Sequence, residues 1–292
     1  MPIRGRNVTS LPLYALCTLI VSLWGNTKLK LWSFCLSCVF LLPLSSSQFP
    51  DWNTQFETGH HINIAEKEEK IPPTRSYVAG LFSRRHLLCT GTLIKENWVL
   101  TAAHCFPNED TYVILGGTSR TKRERGKRVA NITKIFSYPG FNLLTFEHDI
   151  MLLQIQVKGR LNQDRKAVPL PKISEDIKPG TQCLVIGWGT INQRIGFDIL
   201  HEVDVIVIDR NVCNDNKHYH SHPIVTRNML CAGDKAQKTD KCWGDSGSPL
   251  ICNGQQRGIT SFVKKCNDYR YPGVYTLLTK DHLSWIQTVT NP

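Results

Sequence analysis

The chain reads as an all-β protein, a sandwich or barrel arrangement finished by one terminal helix. From residue 77 onward, short apolar runs broken by turn residues recur at 97–101, 183–187, 203–208, 258–262 and 273–278. Within the third run Val203, Val205 and Val207 alternate with Asp204 and Ile206, which is the period of a strand. Only 280–289 carries helical spacing, with Leu283, Ile286 and Val289 on one face. Many short strands and a single late helix exclude the alternating pattern of an α/β protein.

The N-terminal residues need a different account. Residues 11–24 and 31–44 are apolar runs of 14 residues each, preceded by Arg4 and Arg6 and by Lys28 and Lys30. A helix of that length spans about 21 Å, short of a hydrocarbon core of about 30 Å. Both fit the core of a secretory signal peptide, and Ser45, Ser46 and Ser47 supply small residues for cleavage. We therefore expect a targeting segment at 1–47, a propeptide-like segment at 48–63 and a compact domain at 64–292, secreted and with no stable membrane span. The stretch 159–180, rich in proline and charge, is the expected connection between two halves of that domain.

The formal charge is +11, with a sequence pI near 9.2, which favours acidic partners. Arg120, Lys122, Arg123, Arg125, Lys127 and Arg128 place six cations in nine residues, with Glu124 the only acid among them. A solvated loop and a site for sulfated proteoglycan both account for this run. Nucleic acid is not an expected partner, because no stacking platform or groove-reading motif accompanies it.

Of eleven cysteines, Cys17, Cys35 and Cys38 lie in the apolar N-terminal region and eight fall between Cys89 and Cys266. Eight cysteines allow 105 pairings, so spacing cannot choose among them. They lack the paired spacing of a zinc site, so an oxidising compartment explains them and no metal or cofactor is expected. Asn131-Ile132-Thr133 is a glycosylation acceptor sequence.

Three segments carry the chemistry. They are Leu100-Thr101-Ala102-Ala103-His104-Cys105, His148-Asp149-Ile150-Met151-Leu152-Leu153 and Gly244-Asp245-Ser246-Gly247-Ser248-Pro249-Leu250. A serine hydroxyl is a poor nucleophile at neutral pH and needs a base, which in turn needs an orienting group. His148, next to Asp149, reads as a surface residue.

In this order, with these flanks, the segments resemble the trypsin-like serine peptidases, whose template uses histidine as base, aspartate as its orienter and serine as nucleophile. Gly187-Trp188-Gly189, Asp209-Arg210-Asn211-Val212-Cys213-Asn214-Asp215 and the Ser248 variant of the serine loop are most similar to the granzymes, the granzyme A branch in particular. The resemblance covers about Arg75 to Ile286. It implies two antiparallel Greek-key β-barrels with a C-terminal helix, the catalytic residues His104, Asp149 and Ser246 lying between them. It further implies an oxyanion hole from the N–H groups of Gly244 and Ser246, and a specificity pocket with Asp240 at its base. Ser261, Val263 and Gly273 would contact substrate, and arginine or lysine would be preferred before the cleaved bond. The implied disulfides are Cys89–Cys105, Cys183–Cys252, Cys213–Cys231 and Cys242–Cys266, which leave no cysteine over in the body of the domain, so no disulfide-linked dimer is expected. Protein substrates, storage in cytotoxic granules and a role in cell killing are implied in the same way. A catalytically silent homologue that binds polyanions through its basic loop is the alternative.

Two features depart from the family. Lys241 and Val263 stand where small residues are usual, and with Trp243 at the rim they bear on the pocket. Family zymogens also expose a new N-terminus, usually Ile-Ile/Val-Gly-Gly, whose ammonium pairs with the aspartate before the serine, here Asp245. This chain offers Ile64-Ala65-Glu66-Lys67 at the expected distance, or Ile71, which lies about 23 Å of extended chain too near. Activation from Ile64, a permanently closed form and a misstated junction all remain open.

Overall fold

The computed structural model describes residues 76–292 except 85, 125, 158–166, 173, 193–194, 197, 235–245, 265–267, 269 and 292, and only the backbone at 190–192, 195–196 and 234. The strands form two closed antiparallel barrels. The first contains β1 (Val78–Ser83), β2 (His86–Lys95), β3 (Trp98–Thr101), β4 (Thr111–Leu115), β5 (Arg128–Ser137) and β6 (Met151–Val157), paired around the barrel as β1-β2-β3-β6-β5-β4. The second contains β7 (Gln182–Gly187), β10 (His201–Ile208), β11 (Met229–Asp234), β12 (Pro249–Cys252), β13 (Gln255–Phe262) and β14 (Gly273–Leu277), paired as β10-β11-β14-β13-β12-β7. A small ribbon of β8 (Thr190–Asn192) and β9 (Ile195–Gly196) stands apart. Closure removes unpaired edges, so strands this short and apolar are safe from edge-to-edge association.

Alternation decides which side chains fill each barrel. In β10, Val205 and Val207 are buried and Asp204 points to solvent. In β6, Met151, Leu152, Leu153 and Ile155 are all buried, and they join Val99, Leu100 and Val113 in the first core. Disulfides Cys89–Cys105, Cys183–Cys252 and Cys213–Cys231 cross-link these elements. The fourth implied bridge, Cys242–Cys266, lies outside the described residues.

The helix α2 (Lys280–Thr290) follows the apolar spacing seen in sequence. Ile286 is buried, and Leu283, Trp285 and Val289 pack against the first core. Thr279 caps it, accepting from the His282 N–H. A second helix, α1 (Arg210–Cys213), was not anticipated; four residues are too few to show a period, and the Asp209 cap is its only local signal. The connection after β6 touches both barrels, since Val168 N donates to Leu93 O and Gln256 N donates to Pro169 O.

Candidate active site

His104 sits in the tight turn Ala103–Cys105 that leaves β3. Two ties hold this turn: Cys105 is disulfide-bonded to Cys89 on β2, and Thr101 Oγ1 donates to Thr90 O at 2.7 Å. Asp149, immediately before β6, is fully buried. Its carboxylate accepts from His104 Nδ1–H at 2.6 Å (Oδ2) and from His104 N–H at 2.9 Å (Oδ1). A third donor is Ser261 Oγ–H, at 2.5 Å from Oδ2. A buried carboxylate is costly without partners, and three donors satisfy this one. Because a carboxylate only accepts, the Nδ1 of His104 carries the hydrogen and its Nε2 lone pair is left free. Thr276 Oγ1 donates to Asp149 O at 3.0 Å, which ties the loop to β14.

Ser261 reaches Asp149 through a bulge. The pairing of β13 with β14 steps from Thr260↔Tyr275 to Phe262↔Val274, which leaves Ser261 as the extra residue. A bulge re-aims a side chain, and this one turns a buried hydroxyl away from the barrel ladder toward Asp149. The resemblance gave Ser261 a place in the edge strand that pairs with substrate backbone; its side chain, in addition, supports the aspartate.

Ser246 lies on the turn that enters β12, with Thr90 N donating to its carbonyl at 2.8 Å and Gly247 N donating to Thr260 O at 2.8 Å. Gly247 has φ +87°, and a Cβ there would lie 2.1 Å from Thr90 O and 2.3 Å from Thr101 Oγ1. Only glycine lets the serine turn approach the strand pair that carries His104. Gly244, Asp245, Asp240, Lys241 and Trp243 lie outside the described residues. Of the other implied substrate contacts, Val263 and Gly273 are half-buried, and a Cβ on Gly273 would stand 3.0 Å from Tyr275 Oη.

The structure adds an aromatic wall that the sequence did not reveal. Phe146 lies edge-on to the His104 ring at 5.7 Å and against Phe262 at 5.0 Å, and Phe262 meets Tyr219 at 5.9 Å.

Two readings are corrected. His148 is not a surface residue: it is half-buried, stacked on Tyr138 at 5.1 Å and hydrogen-bonded to His282 at 2.9 Å. Lys127 is not part of an outward basic face. Its ammonium donates to the carbonyls of Ser119, Arg120 and Lys122 at 2.9 to 3.1 Å, at the centre of the loop. Glu124 and Asp198 hold the same loop from other sides. Glu124 accepts from Thr118 N–H, Thr118 Oγ1–H and Ser119 N–H, and Asp198 accepts from Ser119 Oγ–H and Thr121. Lys122 and Arg123 remain exposed, and Arg120 and Arg128 are half-buried. Asn131 is exposed on β5, two residues before Thr133, whose hydroxyl donates to Gln154 O. Ligand atoms of Cys89, His104 and Cys105 lie within 4.8 Å of one another, but the disulfide uses both sulfurs and leaves no thiolate for a metal.

Such a site, an imidazole fixed by a buried carboxylate with a serine turn knitted to the same strands, defines a serine peptidase. The trypsin family's sequence model matches residues 64–286, and the chain belongs to that family. It is 45% identical to granzyme A of Bos taurus over 221 residues, covering 75% of this chain and 84% of that protein. It is 37% identical to mast cell protease 3 of Ovis aries over 233 residues, covering 78% of this chain and 90% of that protein. Among solved structures, neuropsin, a serine protease expressed in the limbic system of mouse brain, matches with TM-score 0.66 and 32% identity, over 76% of this chain and 97% of that one. The protein is a trypsin-like serine endopeptidase related to granzyme A.

Proposed function

We propose that His104, Asp149 and Ser246 carry out the peptide cleavage and that the enzyme cuts after arginine or lysine. The observation that carries this reading is the 2.6 Å contact between His104 Nδ1 and a fully buried Asp149. It fixes the tautomer in which Nε2 accepts the proton from Ser246 Oγ as that oxygen attacks the peptide carbonyl. The carbonyl carbon becomes tetrahedral, and its oxyanion is stabilised by the N–H groups of Gly244 and Ser246, about 3 kcal/mol per donor. His104 then returns the proton to the leaving amine, the C–N bond breaks, and water repeats the cycle on the acyl-serine. The Asp149 carboxylate stays ionised and stabilises the imidazolium in between.

Asp240 at the pocket base would attract a basic side chain by a charge-assisted hydrogen bond. The family match beginning at residue 64 supports Ile64 as the mature N-terminus, with its ammonium on Asp245. Relationship to a granzyme and a mast cell protease supports a secreted or granule-stored enzyme acting in cell killing. To test this, the protein is trimmed to Ile64 and hydrolysis of arginine and phenylalanine esters is measured with and without Ser246→Ala. Cleavage of the arginine ester alone, lost in the variant, is the expected result. Equal rates in the two proteins would remove Ser246 from the mechanism.

A second property rests on the basic loop. With Lys127 turned inward and the backbone fastened by Glu124 and Asp198, Lys122 and Arg123 are displayed on a fixed scaffold, which favours binding of sulfated polysaccharide.

A further inference from the structure

Residues 214–226 form a turn in which three histidines alternate, His218, His220 and His222. The turn is bound to itself and to α1. Tyr219 N donates to Cys213 O, His220 N to Asp215 O, Ser221 N to Asn214 O and His222 N to Tyr219 O. Cys213 is in turn bridged to Cys231 on β11. His220 and Ser221 have φ +53° and +54°, a left-handed backbone that costs a non-glycine residue of order 1–3 kcal/mol and that collects at ligand clamps. Both His220 and His222 are exposed, and neither ring hydrogen-bonds to another described residue.

We propose that His220 and His222 form a surface site for a divalent ion of the zinc class, and that its occupancy is felt in the substrate cleft. The ring centroids are 6.2 Å apart. An imidazole bound to zinc places its nitrogen about 2.0 Å and its ring centre roughly 3.2 Å from the ion, so two rings can share one ion up to roughly 6.4 Å apart. That limit is the linear arrangement; the tetrahedral angle of zinc sets the ring centres roughly 5.2 Å apart, so an ion must draw the two rings about 1 Å closer, with water completing the coordination. The His218 imidazole is directed elsewhere, Nδ1 bonded to Asp215 Oδ1 at 2.7 Å. The cysteine spacing concealed this site, because its ligands are two imidazoles on one turn and not a paired-cysteine motif.

The link to the cleft is Tyr219, which lies between these histidines in sequence and is fully buried. Its hydroxyl donates to Pro272 O at 2.6 Å and accepts from Lys264 N at 3.3 Å. Its ring packs on Phe262 and Tyr271, both at 5.9 Å. Pro272 leads into β14 at Gly273, and Phe262 ends β13, so movement of the turn is transmitted to both strands beside the substrate. An ion that draws His220 and His222 together must favour one arrangement of this turn over another, and that differential affinity is what reaches Phe262.

The experiment titrates zinc into the full chain and into a His220→Ala/His222→Ala double variant by calorimetry. Copper-induced broadening of assigned histidine resonances then maps the ion directly, without any substitution. The expected result is one bound ion per chain lost in the double variant, with His220 and His222 broadened first. KM for a peptide substrate should rise at least about twofold with zinc in the parent and stay constant in the double variant. Equal stoichiometry in the two proteins, or broadening confined to other histidines, would overturn the site. Unchanged KM in the zinc-loaded parent would overturn its link to the cleft.

Discussion

His148, next in the chain to the buried Asp149, shares a hydrogen bond of 2.9 Å with His282, 134 residues away in sequence. Its direction can be deduced. His282 Nδ1 lies 2.7 Å from Leu277 O, which only accepts, so Nδ1 carries the hydrogen and Nε2 accepts from His148 Nδ1–H. His148 Nε2 is then left to accept from Asn228 Nδ2 at 3.3 Å. Thr279 N–H, 3.4 Å from His282 Nδ1, donates to Leu277 O at 2.9 Å, so that carbonyl accepts from both groups. The chain of four groups is complete only when both rings are neutral, and it fastens α2 to the loop that holds Asp149.

Burial of His282 predicts that the fold loses stability in acid. Burial, opposed by the Leu277 hydrogen bond and assisted by His148, pushes His282 down from 6.5 to about 4. The unfolded chain therefore takes up this proton first as pH falls. The His282 contribution to stability is expected to be constant above about pH 6.5 and to decline between there and about pH 4, by roughly 3 kcal/mol at about 1.4 kcal/mol per pH unit. Urea denaturation across that range measures the decline. His282→Phe should be less stable at pH 8 and should show a shallower dependence on pH.

Ser261 acts on the turnover step through Asp149. Ser261→Ala removes one of three donors to a buried carboxylate, at about 1–3 kcal/mol. We expect kcat to fall about tenfold or more with KM nearly unchanged. A rise in KM with kcat unchanged would contradict this role of the Ser261 side chain.

Gly247→Ala should lower stability and activity together. The added methyl meets backbone oxygen at 2.1 Å while the φ of +87° is itself unfavourable, so we expect a loss above about 3 kcal/mol, read as a lower melting temperature. Gly254→Ala is the control, since its φ of +74° is also left-handed but nothing lies within 4 Å.

The basic loop separates binding from scaffolding. Lys122→Ala/Arg123→Ala should elute from heparin at lower salt with unchanged melting temperature. Lys127→Met should instead lower the melting temperature, because three carbonyls lose their shared donor.

Local pattern made the strands and α2 legible, since alternation at Val203, Val205 and Val207 and the spacing of Leu283, Ile286 and Val289 are properties of neighbouring residues. The three chemical segments were legible because each is a contiguous string. What stayed hidden depends on partners far along the chain. His148 looked like a surface residue because its partners, Tyr138, Asn228 and His282, come from three separate elements. Ser261 looked like a strand residue because its bulge appears only once β13 is paired with β14. Lys127 counted as one more cation until the path of its own loop placed three carbonyls around its ammonium.

The most direct test of the account is labelling of the Ile64-trimmed protein with an arginine-type phosphonate, followed by peptide mapping. One adduct is expected, on Ser246, formed in the parent and slowed by about four orders of magnitude in Asp149→Asn, where the wrong imidazole tautomer faces the serine. A parent that takes up no label, or an Asp149→Asn variant labelled at the parent's rate, would contradict it.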